Sequence, residues 1–572
     1  MVDYRQEIAE IILPATAGFS ADEIKGMVEA PADRNMGDYA FPCFKLAKTM
    51  RKAPNAIAKE IAEKIAPGDI IAKVENVNAY VNIFLNRGHF MKNVVGEVLS
   101  QRERYGRSDM GKGKRVIVEY SAPNIAKPFH IGHIRSTVIG HSIYKIYDFM
   151  GYETVRINHL GDYGTQFGKM ICAYRRWGNR EDVENEPIKT LLSYYIKFHE
   201  ESEQDPTLED EARAVFTRLE QGDPEEVELW QWFRDESLKE FGRVYKMLGI
   251  EFDSYAGESF YSDKMGRMLD ILKDKGLLVA SEGAQIVELS DYGMPPALIT
   301  KQDGSTLYIT RDIAAAVYRK EHYDFYKNLY IVASQQNLHF QQWIKIIELM
   351  GYGWAKDCVH IPFGLVSLED GTMSTRQGRV VFLEEVLTKA VEKTKEIIVE
   401  KGVNTDNIDE TAKQVGIGAV VFNELANSRI KDYVFSWGKV LNFDGETGPY
   451  VQYSHARLAS VMRNAGGAEA EQSLAIDSAG AGHITGDSAF ELAKLIYKFP
   501  AAVADAAEKY EPSIVTRHIV DTAQAVNRFY HDEHVLVDDE AERSAKLALV
   551  YSAKTVLKNG LGLLCMDAPE KM

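Results

Sequence analysis

The sequence is short of the features that mark exported, membrane or metal-stapled proteins. Only four of its 572 residues are cysteine, Cys43, Cys172, Cys358 and Cys565, and no two form a CxxC pair. That spacing excludes a disulfide framework or a cysteine zinc site and suits a reducing cytosol. No stretch approaches the roughly 18 consecutive apolar residues of a membrane helix. The opening MVDYRQEIAE has neither the basic flank nor the apolar run of a secretion signal. A cytoplasmic protein without membrane contact is therefore expected. Internal repeats are missing, and so are the two common phosphate signatures. There is no GxxxxGKS/T, and GAGHITG (480–486) lacks the GxGxxG spacing and follows no strand. Positive charge is scarce as well: 67 Lys and Arg face 84 Asp and Glu, a net charge of −17. Taken whole, that balance argues against a nucleic-acid partner, because phosphate binding needs Lys and Arg.

The distribution of charge changes that inference. Residues 181–240 hold 19 acidic and 6 basic residues, so this block carries −13 and the other 512 residues only −4. The acidity is local, and the block is expected to present a solvated outer face. Otherwise the composition is that of a globular chain, 45% hydrophobic and 26% charged. At about 150 residues per domain the length allows three or four domains.

Up to about residue 113 the patterns are mixed. Residues 57–65 read as an amphipathic helix and AYVNIFLN (79–86) as a strand. DRNMGDYAFP (33–42) is turn-rich and reads as irregular. A Gly/Lys hinge, MGKGKR (110–115), leads to VIVEY (116–120), a short apolar run typical of a buried parallel strand. Pro123 and Pro128 keep the next loop from being helical. A helix from about 131 to 150 follows, with Ile139, Ile143, Ile146 and Met150 spaced 4, 3 and 4. ETVRINHLGD then returns to strand and loop. Strand, helix, strand makes a βαβ unit and predicts a parallel α/β sheet. The acidic block interrupts that sheet as a helical insertion. Strands return at IVASQQ (331–336) and HIPFGLVSL (360–368). From about 412 onward the pattern is helical, except for an Ala/Gly-rich stretch (465–486) that reads as a flexible loop.

The sharpest constellation is AKPFHIGH (126–133). His130 and His133 open a helix that follows a parallel strand, where free N–H groups and the helix dipole favour anions. Gly132 allows a ligand close to the backbone. Two histidines there could donate to phosphate oxygens whose charge grows in a transition state. Taken alone, HxxH is equally half of a metal site or a surface pair, although no third His or Cys ligand lies nearby in sequence.

HIGH after a first strand, followed 243 residues later by MSTR (373–376), resembles the two signature motifs of class I aminoacyl-tRNA synthetases. More narrowly, VEYSAPNIAKPFHIGHIRSTVIG is similar to the matching segment of arginyl-tRNA synthetases. NHLGDYGTQFG (158–168), YAGES (255–259), LYITRDIAAA (307–316), ASQQNLHF (333–340) and GPYVQYSHARL (448–458) extend the resemblance over essentially the whole chain. It implies a multidomain α/β protein. Residues 1–112 would form an N-terminal α+β domain that binds the tRNA elbow. Residues 113–400 would form a Rossmann-type parallel-sheet catalytic domain with the acidic helical insertion around 175–285. Residues 401–572 would form an all-α helical bundle that binds the anticodon. It implies formation of arginyl-adenylate and pyrophosphate from L-arginine and ATP, then transfer of arginine to the 3′ end of tRNA(Arg). ATP would enter with Mg2+; no metal site of the protein's own, and a monomer, are expected.

The resemblance also implies roles. His130, His133 and Gly132 would meet the nucleotide during activation. The second signature reads TMSTRQG here, with Thr372 and Thr375 where the class pattern KMSKS has lysines. Met373, Ser374, Thr375 and Arg376 would still contact ATP, and Lys127 would replace the missing lysine on the pyrophosphate oxygens. A guanidinium offers five donors and no acceptor, so its pocket needs carboxylates and a flat aromatic wall. Tyr308, Asp312 and Glu258 resemble those contacts, while Glu119, Ser121, Asn124, His159 and Gln336 match positions that hold the amino acid's amine and carboxylate. For tRNA, Tyr450, Tyr453, His455, Arg457 and Arg463 fall on one helix. Tyr453, Arg457, Tyr530 and Met572 are expected at the anticodon loop, and Tyr80 and Asn82 at the elbow. Two other readings stay open: another class I synthetase or nucleotidylyltransferase, which would lose the Tyr308/Asp312 pocket, and a non-catalytic tRNA-binding relative.

Overall fold

The computed structural model describes residues 2–301, 308–368, 381–402, 405–436, 438 and 445–572. The second signature, with Met373, Ser374, Thr375 and Arg376, lies outside the described residues. Packing divides the chain into two compact units.

The larger unit comprises Gly106–Tyr453, Ala501–Val520 and Gly560–Met572. At its centre β1 (Arg115–Glu119) is almost wholly buried, as a run of branched apolar residues requires when both faces of a strand are covered. α1 (Gly132–Phe149) carries the chain over to β2 (Glu153–Ile157). After the insertion come α2 (Tyr308–Tyr323), β3 (Lys327–Ala333) and β4 (Cys358–Phe363). The strand order is β4-β3-β1-β2, with every neighbouring pair parallel, as the βαβ reading predicts. α1 lies tight against the strand end: a Cβ at Gly140 would stand 2.1 Å from Tyr120 Cβ. One core layer joins Ile117 of β1, Ile309, Ile313 and Val317 of α2, and Trp343.

β5 (Val366–Leu368), α3 (Ile408–Leu425) and β6 (Tyr433–Phe435) follow β4, and β5 pairs in parallel with β6 rather than with the central sheet. The run 360–368 therefore divides where one continuous strand is expected. It breaks at Gly364, whose N–H donates to the Arg429 carbonyl (2.8 Å) and where a Cβ would lie 2.5 Å from the Lys431 backbone.

Between β2 and α2 the acidic block forms helices, including Pro187–Gln204, Thr207–Glu220 and Pro224–Leu248, around a core containing Ile171, Leu191, Phe198 and Phe233. A three-stranded antiparallel sheet, Leu278–Ser281, Ala284–Val287 and Ala297–Thr300, ends the insertion. Its strands are four residues long and expose Val279 and Leu298, so no apolar alternation announces them.

The smaller unit comprises Met1–Tyr105, Ser454–Pro500 and Asp521–Asn559. The helix Pro54–Lys64 and the strand Tyr80–Leu85 form where expected. The turn-rich segment 33–42 is only half irregular. Its turn residues are used by a 3-10 turn, Arg34–Met36, capped by Asp33, and Tyr39–Pro42 then pairs antiparallel with Tyr80–Leu85. The Ala/Gly stretch 465–486 is not a loop but two short helices, Ala468–Ser473 and Ser478–Gly482. Three apolar residues hidden in that composition, Leu474, Ala481 and Ile484, are buried, and Asp477 caps the second helix through Gly480 N–H at 2.7 Å.

Candidate active site

β1 has β2 on one side and β3 on the other, so the chain leaves its carboxyl end at a topological switch point, where open α/β sheets bind ligands. The loop that departs there is strained. Ser121, Ala122 and Ala126 all adopt positive φ, at 71°, 47° and 57°. A hydrogen-bond net holds it. Ser121 N–H donates to Ser136 Oγ (3.0 Å), Ala122 N–H to Asn158 Oδ1 (3.2 Å) and Ala126 N–H to Ser237 Oγ (3.0 Å). Ser121 Oγ lies 2.8 Å from both Thr137 Oγ1 and Tyr245 OH, so this hydroxyl is engaged inside the protein.

The loop delivers His130 and His133 to the first turn of α1 with ring centroids 4.0 Å apart. His130 N–H donates to His133 Nδ1, and Gly132 N–H donates to His130 Nδ1, both at 3.1 Å. A backbone N–H can only donate, so each Nδ1 is an acceptor and each ring keeps its proton on Nε2. Burial favours this neutral form: it pushes His130 down to about 4 and His133 well below the ordinary histidine range. The pair is thus two neutral N–H donors at a helix N-terminus. Lys127 stands close enough for its charge to act on His133 as well.

The neighbouring wall is crowded with paired charges. Glu119, the last residue of β1, meets Arg319 of α2 at 2.5 Å, and Arg319 Nη2 lies 3.3 Å from His159 Nδ1. Tyr308 and Asp312 share one face of α2, as their spacing predicts, and Tyr308 is 57% exposed. Asp312 pairs with His339 at 2.5 Å. Glu258 faces Arg311 at 3.5 Å, and the Arg311 guanidinium lies over the Tyr163 ring (4.3 Å) and near that of Tyr308 (5.7 Å). Burial pushes the Glu258 carboxyl up to about 7; Arg311 opposes this, while Asp312 and Asp162 add to it. Asn124 and Gln336 are exposed, the first bridged to Gly161 and the second just beyond the carboxyl end of β3. The site therefore combines neutral donors suited to an anion with carboxylates that face Arg319, Arg311 and His339.

Sequence reasoning passed over Arg311, Arg319 and His339, which occupy or neighbour every acidic candidate. The signal was present in YITRD and in Arg319 eight residues further on, which places both arginines on one helix face.

Three family profiles match the chain: tRNA synthetases class I (R), catalytic domain, over residues 94–437; DALR anticodon binding domain over 451–572; and Arginyl tRNA synthetase N terminal domain over 3–85. Proteins named arginine–tRNA ligase from Clostridioides difficile and Halothermothrix orenii are 59% and 56% identical, each over the full length of both chains. The chain belongs to the arginyl-tRNA synthetases. The arginyl-tRNA synthetase structure from Thermus thermophilus has the same fold, with a TM-score of 0.81 at 24% identity over 99% of this chain and 100% of that one. That from Plasmodium falciparum gives 0.77 at 23% identity over 99% of both.

The remaining candidates, apart from Tyr450, lie in the regions that match the synthetase family's anticodon-binding and N-terminal profiles. Tyr453 and Tyr530 are 44% and 45% exposed, and Arg457 lies over the Tyr530 ring at 5.0 Å while donating to Asn527 (2.8 Å). Tyr450 is half-buried and Arg463 exposed, whereas His455 is fully buried, so that part of the helix face is core. Met572 is half-buried. Tyr80 meets the exposed Phe44 edge-on at 5.6 Å. Asn82 lies inside the strand layer, 2% exposed, with its amide on Met36 Sδ.

Proposed function

We propose that the chain couples L-arginine to tRNA(Arg) in two steps. In the first, the arginine carboxylate attacks the α-phosphorus of ATP in line, forming arginyl-adenylate as pyrophosphate departs. In the second, a hydroxyl of the tRNA 3′-terminal ribose attacks the activated carbonyl and AMP leaves. Phosphoryl transfer of this kind needs placement and charge stabilisation more than covalent help.

The observation that carries the reading is the pairing of a neutral two-histidine donor set with a carboxylate pocket at one switch point. His130 and His133 offer Nε2–H to phosphate oxygens, with Gly132 beneath the nucleotide. Lys127 supplies the cation for departing pyrophosphate, in place of the lysines that Thr372 and Thr375 replace. Mg2+ enters as part of the ATP substrate. Arg376, with Met373, Ser374 and Thr375, is proposed as the remaining ATP contact.

Glu258, Asp312 and Tyr308 receive the guanidinium. A second guanidinium beside Arg311 would favour the ionised form of Glu258, which burial opposes. Glu119, Asn124, His159, Gln336 and the Ser121 backbone then face the amine and carboxylate end.

The tRNA is proposed to meet 1–112 at its elbow, through Tyr80 and with Asn82 shaping the strand beneath, and 401–572 at its anticodon, through Tyr453, Arg457, Tyr530 and Met572. Exposed tyrosines with an arginine alongside suit unpaired bases and phosphates. The chain is proposed to act as a monomer. Four cysteines with no disulfide among them suit the cytoplasm.

The test is ATP–pyrophosphate exchange with arginine, with competing amino acids, and with or without tRNA. Arginine-dependent exchange supports the reading; exchange driven instead by glutamate or cysteine points to another class I synthetase.

A further inference from the structure

Arg135 is fully buried in α1, two residues beyond His133. A buried guanidinium kept for stability alone would be expected to meet its carboxylate in a close fork. This one does not. The nearest carboxyl, that of the buried Glu424 of α3, stands 3.7 Å from Nε, and neither Arg135 Nε nor Glu424 Oε2 has a hydrogen-bond partner. The donors go instead to backbone carbonyls. Nη1 reaches Gly364 (3.1 Å) and Lys431 (2.6 Å), and Nη2 reaches Arg429 (3.1 Å). The Tyr433 ring stacks on the guanidinium at 5.3 Å, and its hydroxyl donates to the other Glu424 oxygen.

Those carbonyls lie just ahead of β5 and β6. The two approaches are sewn to each other by Gly364 N–H to the Arg429 carbonyl (2.8 Å), Tyr433 N–H to the Leu365 carbonyl (3.0 Å) and Leu365 N–H to Asp432 Oδ1 (2.6 Å). Beyond residue 380 the chain is fixed to the histidine turn itself. Ile131 N–H donates to the Val381 carbonyl and Leu383 N–H to the Phe129 carbonyl, both at 2.9 Å. The strand that precedes the second signature in sequence and the segment that follows it are therefore both referenced to the element that carries His130 and His133. On the first side the Arg135 side chain makes three hydrogen bonds that serve as this reference.

We propose that Arg135 is a positioning residue for ATP activation, which sets the β5–β6 pair in fixed register with His130 and His133. Its planar fork reaches three carbonyls at once, which the single ammonium of lysine cannot reproduce. Tyr433 and Glu424 hold the plane of the fork rather than compete for its donors. The inference rests on the proposed role of the two histidines. Arginine-dependent exchange by the wild-type chain tests that reading separately.

The experiment compares Arg135→Lys and Gly364→Ala with the wild-type full chain. The first keeps the charge near Glu424 but loses the fork. The second leaves every charge in place and pushes a Cβ against the Lys431 backbone, 2.5 Å away. Measured are exchange kcat, KM for ATP, KM for arginine, arginine binding without ATP, and the thermal midpoint. Displacing a reacting group by an ångström costs about 100-fold. Both variants are therefore expected to lose about 10- to 100-fold in exchange kcat/KM for ATP, while arginine binding changes less than about threefold. If one variant does not fold, the other carries the test. Wild-type exchange in a folded variant, or arginine binding that falls in step with exchange, overturns the proposal.

Discussion

The backbone N–H of His130 donates to Nδ1 of His133, which leaves the His133 proton on Nε2. The companion bond from Gly132 N–H does the same for His130. The two rings therefore approach a ligand as neutral donors in a fixed orientation. Burial favours the neutral form of both rings in the empty site, so the cation for pyrophosphate is sought elsewhere.

That cation is assigned to Lys127. Lys127→Ala should lower the activation rate about 100-fold or more, the usual effect of losing one charge-stabilising contact in a transition state. KM for arginine should change little. Pre-steady-state exchange at saturating arginine measures this, and unchanged turnover means that Thr375 and Arg376 suffice.

Acid dependence should come from Glu258 and not from the histidines. With its carboxyl pushed up to about 7, Glu258 is largely protonated at pH 6 in the empty pocket. A guanidinium binds its ionised form. Arginine affinity should therefore rise as pH increases through 7, and fall about tenfold per unit below it. Glu258→Gln should bind arginine more weakly and flatten the profile. Titration of arginine binding from pH 5.5 to 8.5 tests both statements, and a profile unchanged by the substitution removes Glu258 from the pocket.

Asp312→Asn should weaken arginine binding by about 1.5–3 kcal/mol, the range for a hydrogen bond to a charged group. His339, now bonded to Asp312 at 2.5 Å, gives a control. His339→Asn leaves the carboxylate in place and should cost less. Equal losses in the two variants indicate that pocket shape, not the Asp312 charge, holds the ligand.

On the tRNA side, Tyr530→Ala should raise KM for tRNA by the equivalent of about 1–3 kcal/mol, the worth of one base stacked on an aromatic ring. KM for ATP should stay constant. An unaltered KM for tRNA assigns Tyr530 to the packing of Arg457, whose guanidinium lies 5.0 Å above it.

The central sheet and the donor turn were legible in the sequence because each is local. VIVEY is a buried strand by composition, and HIGH opens a helix whose apolar spacing is regular. Charge partners were not legible, because they join residues far apart in the chain: Glu119 finds Arg319 across 200 positions, and Arg135 finds Glu424 across 289. Periodicity also fails for short pieces. Tyr39–Pro42 and Tyr433–Phe435 are four- and three-residue strands fixed by their partners rather than by their own pattern. Exposure is equally hidden from spacing: Tyr453 and His455 lie two residues apart on one helix, yet the first faces solvent and the second is core.

Arginine-dependent ATP–pyrophosphate exchange by the purified chain, with and without tRNA(Arg), tests the account most directly. The account predicts exchange with arginine that lysine, glutamate and cysteine cannot support, and that Lys127→Ala and His130→Ala each lower about 100-fold or more. Exchange driven equally well by glutamate or cysteine, or none with arginine and tRNA together, would contradict it.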